Sequence, residues 1–103
     1  MAIAEAQLLC LISVAEAMQS RFGEFKVKDA LMAMAQITKA WEHAAVAQVL
    51  KETASLHTEL RIDSSDPYWG IGEPAARTNP GACSGLNKLG WIFYYIGYYL
   101  ADQ

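Results

Sequence analysis

The chain has 103 residues, of which 53% are hydrophobic, and it carries a formal net charge of −3. This apolar fraction is ample for a core and argues against an intrinsically disordered chain. We therefore expect one domain spanning residues 1–103. The weakly acidic balance argues against a nucleic-acid-binding surface, since phosphate contacts require clustered lysine and arginine.

Helical periodicity dominates the first half of the chain. An apolar series at three- and four-residue steps predicts a first helix that Gly23 ends. This series consists of Leu8, Leu11, Ile12, Ala15, Met18 and Phe22. A second series predicts more helix after Gly23, and its length leads us to expect a break within residues 39–43. Its members are Val27, Leu31, Met34, Thr38, Trp41, Ala45, Val49 and Leu50.

The second half of the chain is more varied. Over residues 56–62 the apolar period shifts towards two, which predicts a short strand. A final aromatic-rich helix is predicted over residues 86–100, with Ser84 as its cap. The fold class that follows is mainly α, a single small multihelical domain with at most a short β strand pair.

No segment has the pattern of a membrane span or a targeting signal. The apolar run over residues 91–100 is shorter than the roughly 20 residues that a bilayer-spanning helix needs. The mostly apolar segment of residues 1–18 contains Glu5 and Glu16 and has no basic region, whereas a signal peptide begins with one. We expect a cytoplasmic protein without a membrane partner.

The cysteines and histidines do not have the spacing of a metal site. Cys10 and Cys83 are far apart, and His43 and His57 lack ligand spacing, so we expect neither a metal nor a cofactor. Cys10 lies within an apolar helical pattern and is expected to be buried. Cys83 lies in the long loop, where a thiol is either reactive or inert.

The loop that precedes the last helix contains the most distinctive motif. All three prolines lie between Asp66 and Gly85, and the same segment contains aromatic and acidic residues. Long loops of this kind often hold binding residues. The motif reads Asp66-x-x-Trp69-Gly70-x-Gly72, followed by Gly85-x-Asn87-x-Leu89-Gly90.

This pattern resembles the signature of the NADAR (YbiA-like) family, whose members are α-rich N-glycosidases. The resemblance covers about the last third of the chain. It implies a ligand that contains ribose, such as a riboflavin-pathway intermediate or an ADP-ribosyl adduct. Family members tend to carry an arginine where this chain has Gly97, and a glutamate within an upstream motif. The nearest match to that motif surrounds Glu16, between Ser13 and Gln19.

The resemblance and the residue types together nominate a site. Glu16 and Asp66 are the candidate catalytic carboxylates, because an anionic group stabilises the oxocarbenium-like state of N-glycoside cleavage. The candidate ligand-binding residues are Tyr68, Trp69, Gly70, Gly72, Glu73 and Asn87. For a catalytic role, the first helix must turn Glu16 into a cleft beside residues 66–72.

Each candidate has a structural alternative. Trp69 either stacks on a ribosylated ligand or closes the core. Asp66 either holds ribose hydroxyls or caps its own loop. Asn87 either binds the ligand near the positive end of the last helix or ties the preceding loop to that helix. Gly90 is expected to let the helix pack closely on a neighbour.

Two functional classes remain open at this stage. One is a protein that binds a ribosylated ligand and hydrolyses its N-glycosidic bond. The other is a small non-enzymatic module for protein–protein contact. In either class the apolar last helix predicts a homodimer, because a helix that is apolar on all sides must be surrounded.

Overall fold

The computed structural model describes residues 4–72 and 85–102. Within these ranges the chain forms four α-helices and no β-strand. The helices are α1 (Glu5–Phe22), α2 (Val27–Glu42), α3 (Ala44–Ser55) and α4 (Lys88–Ala101). The predicted mainly α fold is confirmed. No helix in these ranges combines the length and the apolar character needed to cross a bilayer.

Two predicted helix boundaries are confirmed. Gly23 ends α1 in the left-handed conformation, with φ of 74°, and its N–H donates to the Gln19 carbonyl. The expected break between α2 and α3 falls at His43, whose backbone is extended. The last helix begins at Lys88 rather than at Leu86, and its predicted cap, Ser84, lies outside the described residues.

The predicted strand over residues 56–62 is wrong. His57 adopts a left-handed conformation, with φ of 55°, which interrupts an extended run. The Ile62 N–H donates to the Asn87 side chain, and the Ile62 carbonyl accepts from the Ile71 N–H. These backbone groups therefore pair with the loop and with α4, and no strand ladder forms.

The core lies between α4 and the other three helices, which all pack against it. Its buried members are Cys10, Val14, Met18, Ala33, Ile37, Ala40, Leu50, Ile92 and Ile96. The expected burial of Cys10 is confirmed, and isolation from water raises the pKa of its thiol to about 12.

The predicted apolar faces of the first two helices are wrong in part. Leu8 and Ile12 are nearly half exposed, while Val27 and Leu31 are 77% and 68% exposed. The buried stripe of α2 instead begins at Asp29 and continues through Ala33, Ile37 and Ala40. The buried Asp29 carboxylate of this face has a cationic partner, Lys88.

Two glycines set how closely α4 approaches its neighbours. A Cβ on Gly90 would lie 1.9 Å from the Leu60 carbonyl oxygen, which confirms its predicted packing role. A Cβ on Gly97 would lie 2.1 Å from the Leu50 carbonyl oxygen of α3. An arginine side chain at position 97 would therefore require α3 and α4 to separate.

Candidate functional site: the Tyr68 cluster

Asp66 organises the turn that begins the loop. Its Oδ1 accepts hydrogen bonds from the Tyr68 N–H at 2.8 Å and the Trp69 N–H at 2.9 Å. These bonds, that from Trp69 first, hold the pKa of the exposed Asp66 carboxyl below its usual range. The side chain therefore caps its own loop, as in the structural alternative for this residue.

The loop is joined to the beginning of α4 through backbone hydrogen bonds. The Asn87 N–H donates to the Gly70 carbonyl, and the Lys88 N–H donates to the Tyr68 carbonyl. The Leu89 N–H donates to the Trp69 carbonyl. These N–H groups at the start of α4 are therefore already bonded to loop carbonyls. At other helix N-termini, the corresponding N–H groups can bind anions.

Asn87 ties the chain preceding the loop to α4. Its Oδ1 accepts from the Ile62 N–H at 3.0 Å, and its Nδ2 donates to the Leu60 carbonyl at 2.8 Å. The residue is buried and has φ of 54°. Both the oxygen and the nitrogen of the side-chain amide bond to the protein itself, so these contacts give Asn87 a structural role. Ligand binding by Asn87 stays a prediction.

Trp69 and the two loop glycines lie close to the core. Trp69 is half-buried, packs against the core and meets the Tyr68 ring edge-on, with centroids 4.7 Å apart. Gly72 adopts φ of 90°, and its N–H donates to the Ser64 carbonyl. At Gly70 a Cβ would lie 2.8 Å from the Ser64 Cβ, which explains the absence of a side chain there.

A buried polar cluster lies directly behind this turn. The Tyr68 hydroxyl donates to Asp29 Oδ1. Lys88 Nζ lies 3.0 Å from the Tyr68 oxygen and 3.5 Å from Asp29 Oδ2. Asp29 is fully buried and Lys88 is 1% exposed. We call Asp29, Tyr68 and Lys88, together with Glu24, the Tyr68 cluster.

Glu24 is the charged member of the cluster that solvent reaches. Lys88 Nζ donates to Glu24 Oε2 at 3.0 Å, and Lys26 Nζ lies 3.2 Å from the same oxygen. The Glu24 side chain is 40% exposed, in contrast to that of its partner Lys88. The cluster therefore presents one carboxylate at the surface, held from behind by a buried ammonium group.

The local helix positions explain why these side chains meet. Asp29 lies in the first turn of α2, where its Oδ2 accepts from the Lys26 N–H at 2.9 Å. An acidic group is favourable there because it faces the positive end of the helix dipole. Lys88 is the first residue of α4, beside the loop that supplies Tyr68.

The mutual contacts keep the charged groups ionised. Burial acts to raise the pKa of Asp29, but hydrogen bonds from Tyr68 and the Lys26 backbone and the Lys88 charge bring it below its usual value. Burial acts to lower the pKa of Lys88, but hydrogen bonds to Tyr68 and Glu24 and the Asp29 charge raise it overall. Hydrogen bonds from Lys88 and Lys26 lower the pKa of Glu24.

Tyr68 stays neutral at the centre of these charges. Burial and its hydrogen bond to Asp29 raise the pKa of the phenol, with Lys88 opposing them. The ammonium group of Lys28, an exposed residue, lies 3.6 Å from the centre of the Tyr68 ring. Cationic charge therefore lies near both the face and the hydroxyl of this tyrosine.

Among the described residues, the predicted catalytic Glu16 is not brought to the cluster. Glu16 is exposed on α1, two positions away from both Val14 and Met18, which are buried on the opposite face. The expectation that Glu16 turns into a cleft is therefore wrong. Glu73 and Cys83 lie outside the described residues. Within the described ranges no three His, Cys, Asp or Glu side chains are arranged to hold a metal ion.

Sequence reasoning missed the charged members Glu24, Asp29 and Lys88. A signal was present for Lys88, since it lies inside the motif between Asn87 and Leu89. For Asp29 the signal was weak, because an acid in the first turn of a helix is usually solvated. Its partner is 59 residues away along the chain.

Comparison of the chain with protein-family models, with curated protein sequences and with solved structures gives no match.

Proposed function

We propose that the chain binds a small molecule that contains ribose, such as an ADP-ribosyl adduct, beside the Tyr68 cluster and hydrolyses its N-glycosidic bond. The observation that carries the proposal is the Glu24 carboxylate, ionised and accessible, held by the buried Lys88 ammonium at 3.0 Å. Lys88 also bonds to Tyr68, which lies within the motif that resembles that of the NADAR family. The resemblance supplies the substrate class, and the cluster supplies the chemistry.

Glu24 suits the reaction because of its charge and its exposure. N-glycoside cleavage builds positive charge on the sugar, which an anionic carboxylate stabilises. Glu24 also removes a proton from the attacking water while the oxygen of that water bonds to the anomeric carbon. The C–N bond breaks, the leaving nitrogen keeps the bonding pair, and it takes up the proton that Glu24 removed from the water, which restores the carboxylate. In this scheme Glu24 replaces Glu16 as the catalytic carboxylate.

The remaining groups position Glu24 and receive the ligand. Asp29 is fully buried, so it acts by orienting Tyr68 and Lys88 rather than by touching substrate. The half-buried rings of Tyr68 and Trp69 offer aromatic surface to a base or a ribose face. Lys28, above the Tyr68 ring, supplies positive charge for the phosphates of an ADP-ribosyl group.

Hydrolysis and binding are measured separately. We expect wild-type protein to release ADP-ribose from ADP-ribosylarginine, as followed by chromatography. Glu24→Gln should lower the rate by roughly 10² to 10⁴, the usual contribution of a positioned acid–base group. Binding of ADP-ribose, followed by quenching of tryptophan emission, should survive in Glu24→Gln and be lost in Trp69→Ala.

Glu16→Gln is the matched control, because Glu16 is an exposed glutamate on another face. Its rate should equal that of the wild type. Loss of hydrolysis in Glu16→Gln but not in Glu24→Gln would contradict the assignment. Absence of both ADP-ribose binding and hydrolysis in the wild type would contradict the proposed function.

A non-enzymatic role in protein contact is the second candidate, and an exposed apolar stripe on α2 favours it. Val27, Leu31 and Ala35 are all exposed and follow one another at four-residue steps, on one face of the helix. Exposed apolar patches often mark contact surfaces. In this candidate, two copies of the chain form a symmetric dimer through the stripe rather than through α4.

Light scattering tests the dimer. A dimer should form at high protein concentration and dissociate in Leu31→Glu, which places a charge in the centre of the stripe. Leu56→Glu is the control, since Leu56 is equally exposed at 71% but lies beyond α3. A wild-type monomer at all concentrations would exclude this candidate.

A further inference from the structure

A cavity of about 400 Å³ lies between α1 and α4 and shares no residue with the Tyr68 cluster. This volume falls within the roughly 300–1,000 Å³ that is usual for small-molecule sites. Its lining residues are Ser13, Ala17 and Arg21 of α1 and Tyr94, Tyr95 and Tyr98 of α4.

The cavity results from a mismatch in side-chain size. Ser13, Ala17 and Arg21 lie at four-residue steps and so share one face of α1. The first two are small, whereas the opposite wall on α4 consists of tyrosines. The helices are held at a distance by large side chains, and the small residues leave the space between them unfilled.

Arg21 is held in one orientation at this cavity. Its Cζ lies 3.4 Å from the centre of the Trp91 ring, and its Nε donates to the Tyr95 hydroxyl at 2.8 Å. The guanidinium has five N–H donors, and this is the one hydrogen bond found for the Arg21 side chain within residues 4–72 and 85–102. No carboxylate in those ranges forms an ion pair with it.

The walls beside the guanidinium are aromatic. Tyr94 and Tyr95 meet edge-on with ring centroids 5.4 Å apart, and Tyr94 and Tyr98 follow at 6.3 Å. Tyr98 is 57% exposed, so the aromatic wall reaches the solvent. An entering ring would find aromatic faces along one side and, at the lining, a cation that forms no ion pair within residues 4–72 and 85–102.

We infer that this cavity binds a planar aromatic compound that carries one carboxylate. Its ring packs against the tyrosines, and its carboxylate accepts two parallel hydrogen bonds from the free donors of Arg21. A single carboxylate matches the single guanidinium.

Calorimetric titration with 2-naphthoate tests the site, and naphthalene-2-methanol serves as the neutral ligand with the same ring. We expect the alcohol to bind at least about tenfold more weakly, because a charge-assisted bidentate pair is lost. Arg21→Gln should weaken naphthoate binding by a similar factor. Ala17→Leu should abolish it by filling the cavity.

Control variants separate the cavity from general charge and size effects. Lys39→Gln removes an exposed cation from α2, and Ala44→Leu enlarges an exposed alanine of α3. Both should bind naphthoate as the wild type does, and so should Glu24→Gln, which keeps this test independent of the proposed hydrolysis. Circular dichroism verifies that each variant is folded.

Tyr98→Ala provides a second probe, because truncating an exposed side chain leaves the core intact. It should weaken naphthoate binding severalfold. The inference is overturned if naphthoate does not bind, or if the alcohol binds as tightly. It is also overturned if Arg21→Gln, Ala17→Leu and Tyr98→Ala all keep the wild-type affinity.

Discussion

Lys88 and Asp29 form a buried ion pair, with 3.5 Å between Lys88 Nζ and Asp29 Oδ2, across 59 residues of sequence. The pair joins the first turn of α2 to the first residue of α4. Tyr68 of the loop bonds to both partners. One interaction thus holds three segments of the chain together behind the candidate site.

Asp29→Asn tests the stability that this pair contributes. Loss of the buried charge leaves Lys88 with the Tyr68 hydroxyl and, within the described residues, with Glu24 as its one carboxylate partner. Breaking a buried pair typically costs about 3–5 kcal/mol. We expect the free energy of unfolding, measured by urea denaturation, to fall by about 3 kcal/mol. Glu16→Gln, at an exposed site, should change it by less than about 0.5 kcal/mol. Equal stability of the two variants would contradict the interpretation.

The same carboxylate predicts how stability depends on acid. The folded pKa of Asp29 is lower than its unfolded value of about 3.9. The stabilisation is therefore fully present above that unfolded value and is lost as the pH falls towards the folded pKa. The difference in unfolding free energy between wild type and Asp29→Asn should begin to shrink at about pH 5 and should continue to shrink as the pH falls further. A difference that is constant down to the acid limit would contradict it.

Glycine substitutions in α4 test the close packing of that helix. Gly90→Ala and Gly97→Ala each place a Cβ against a backbone carbonyl, which cannot rotate away as a side chain can. Overpacking of this kind costs typically about 1–3 kcal/mol. Gly23→Ala is the comparison, since its Cβ meets nothing within 4 Å and only its φ of 74° is strained. Its cost should be nearer to about 1 kcal/mol. If Gly23→Ala proves the most damaging in urea denaturation, the packing argument fails.

Cys10 should be inert in the folded protein. Its side chain is fully buried and its pKa is raised to about 12, so almost no thiolate forms at neutral pH. In a Cys83→Ser background, a thiol reagent should label the protein only as urea unfolds it. The labelling curve should then coincide with the unfolding curve from circular dichroism. Rapid labelling without urea would place Cys10 at the surface.

Local sequence was sufficient for the fold class and for several boundaries. The apolar period identified the helices, Gly23 marked the end of α1, and the break at His43 lay within the expected five residues. Each of these features depends on neighbours within one or two turns. The close approach at Gly90 was also predicted, because a glycine inside an otherwise good helix needs a packing reason.

The predictions that failed depend on contacts between distant segments. An apolar face at three- and four-residue steps placed Val27 and Leu31 inside, but the face of α2 that is buried contains Asp29, whose partner Lys88 lies on α4. An alternating pattern over residues 56–62 predicted a strand, but the Ile62 backbone pairs with Asn87 instead. The expected direction of the Glu16 side chain depended on a motif match, which carries no information about that direction.

By itself, the sequence determined a mainly α chain with a Gly/Pro-rich loop before an aromatic helix, because periodicity and turn residues act locally. Only the tertiary structure decided which polar residues meet. Asp29 and Lys88 are each unfavourable to bury alone, and they become stable inside only when the fold brings them to Tyr68 and to one another. Such compensation over 59 residues leaves no periodic trace in the sequence.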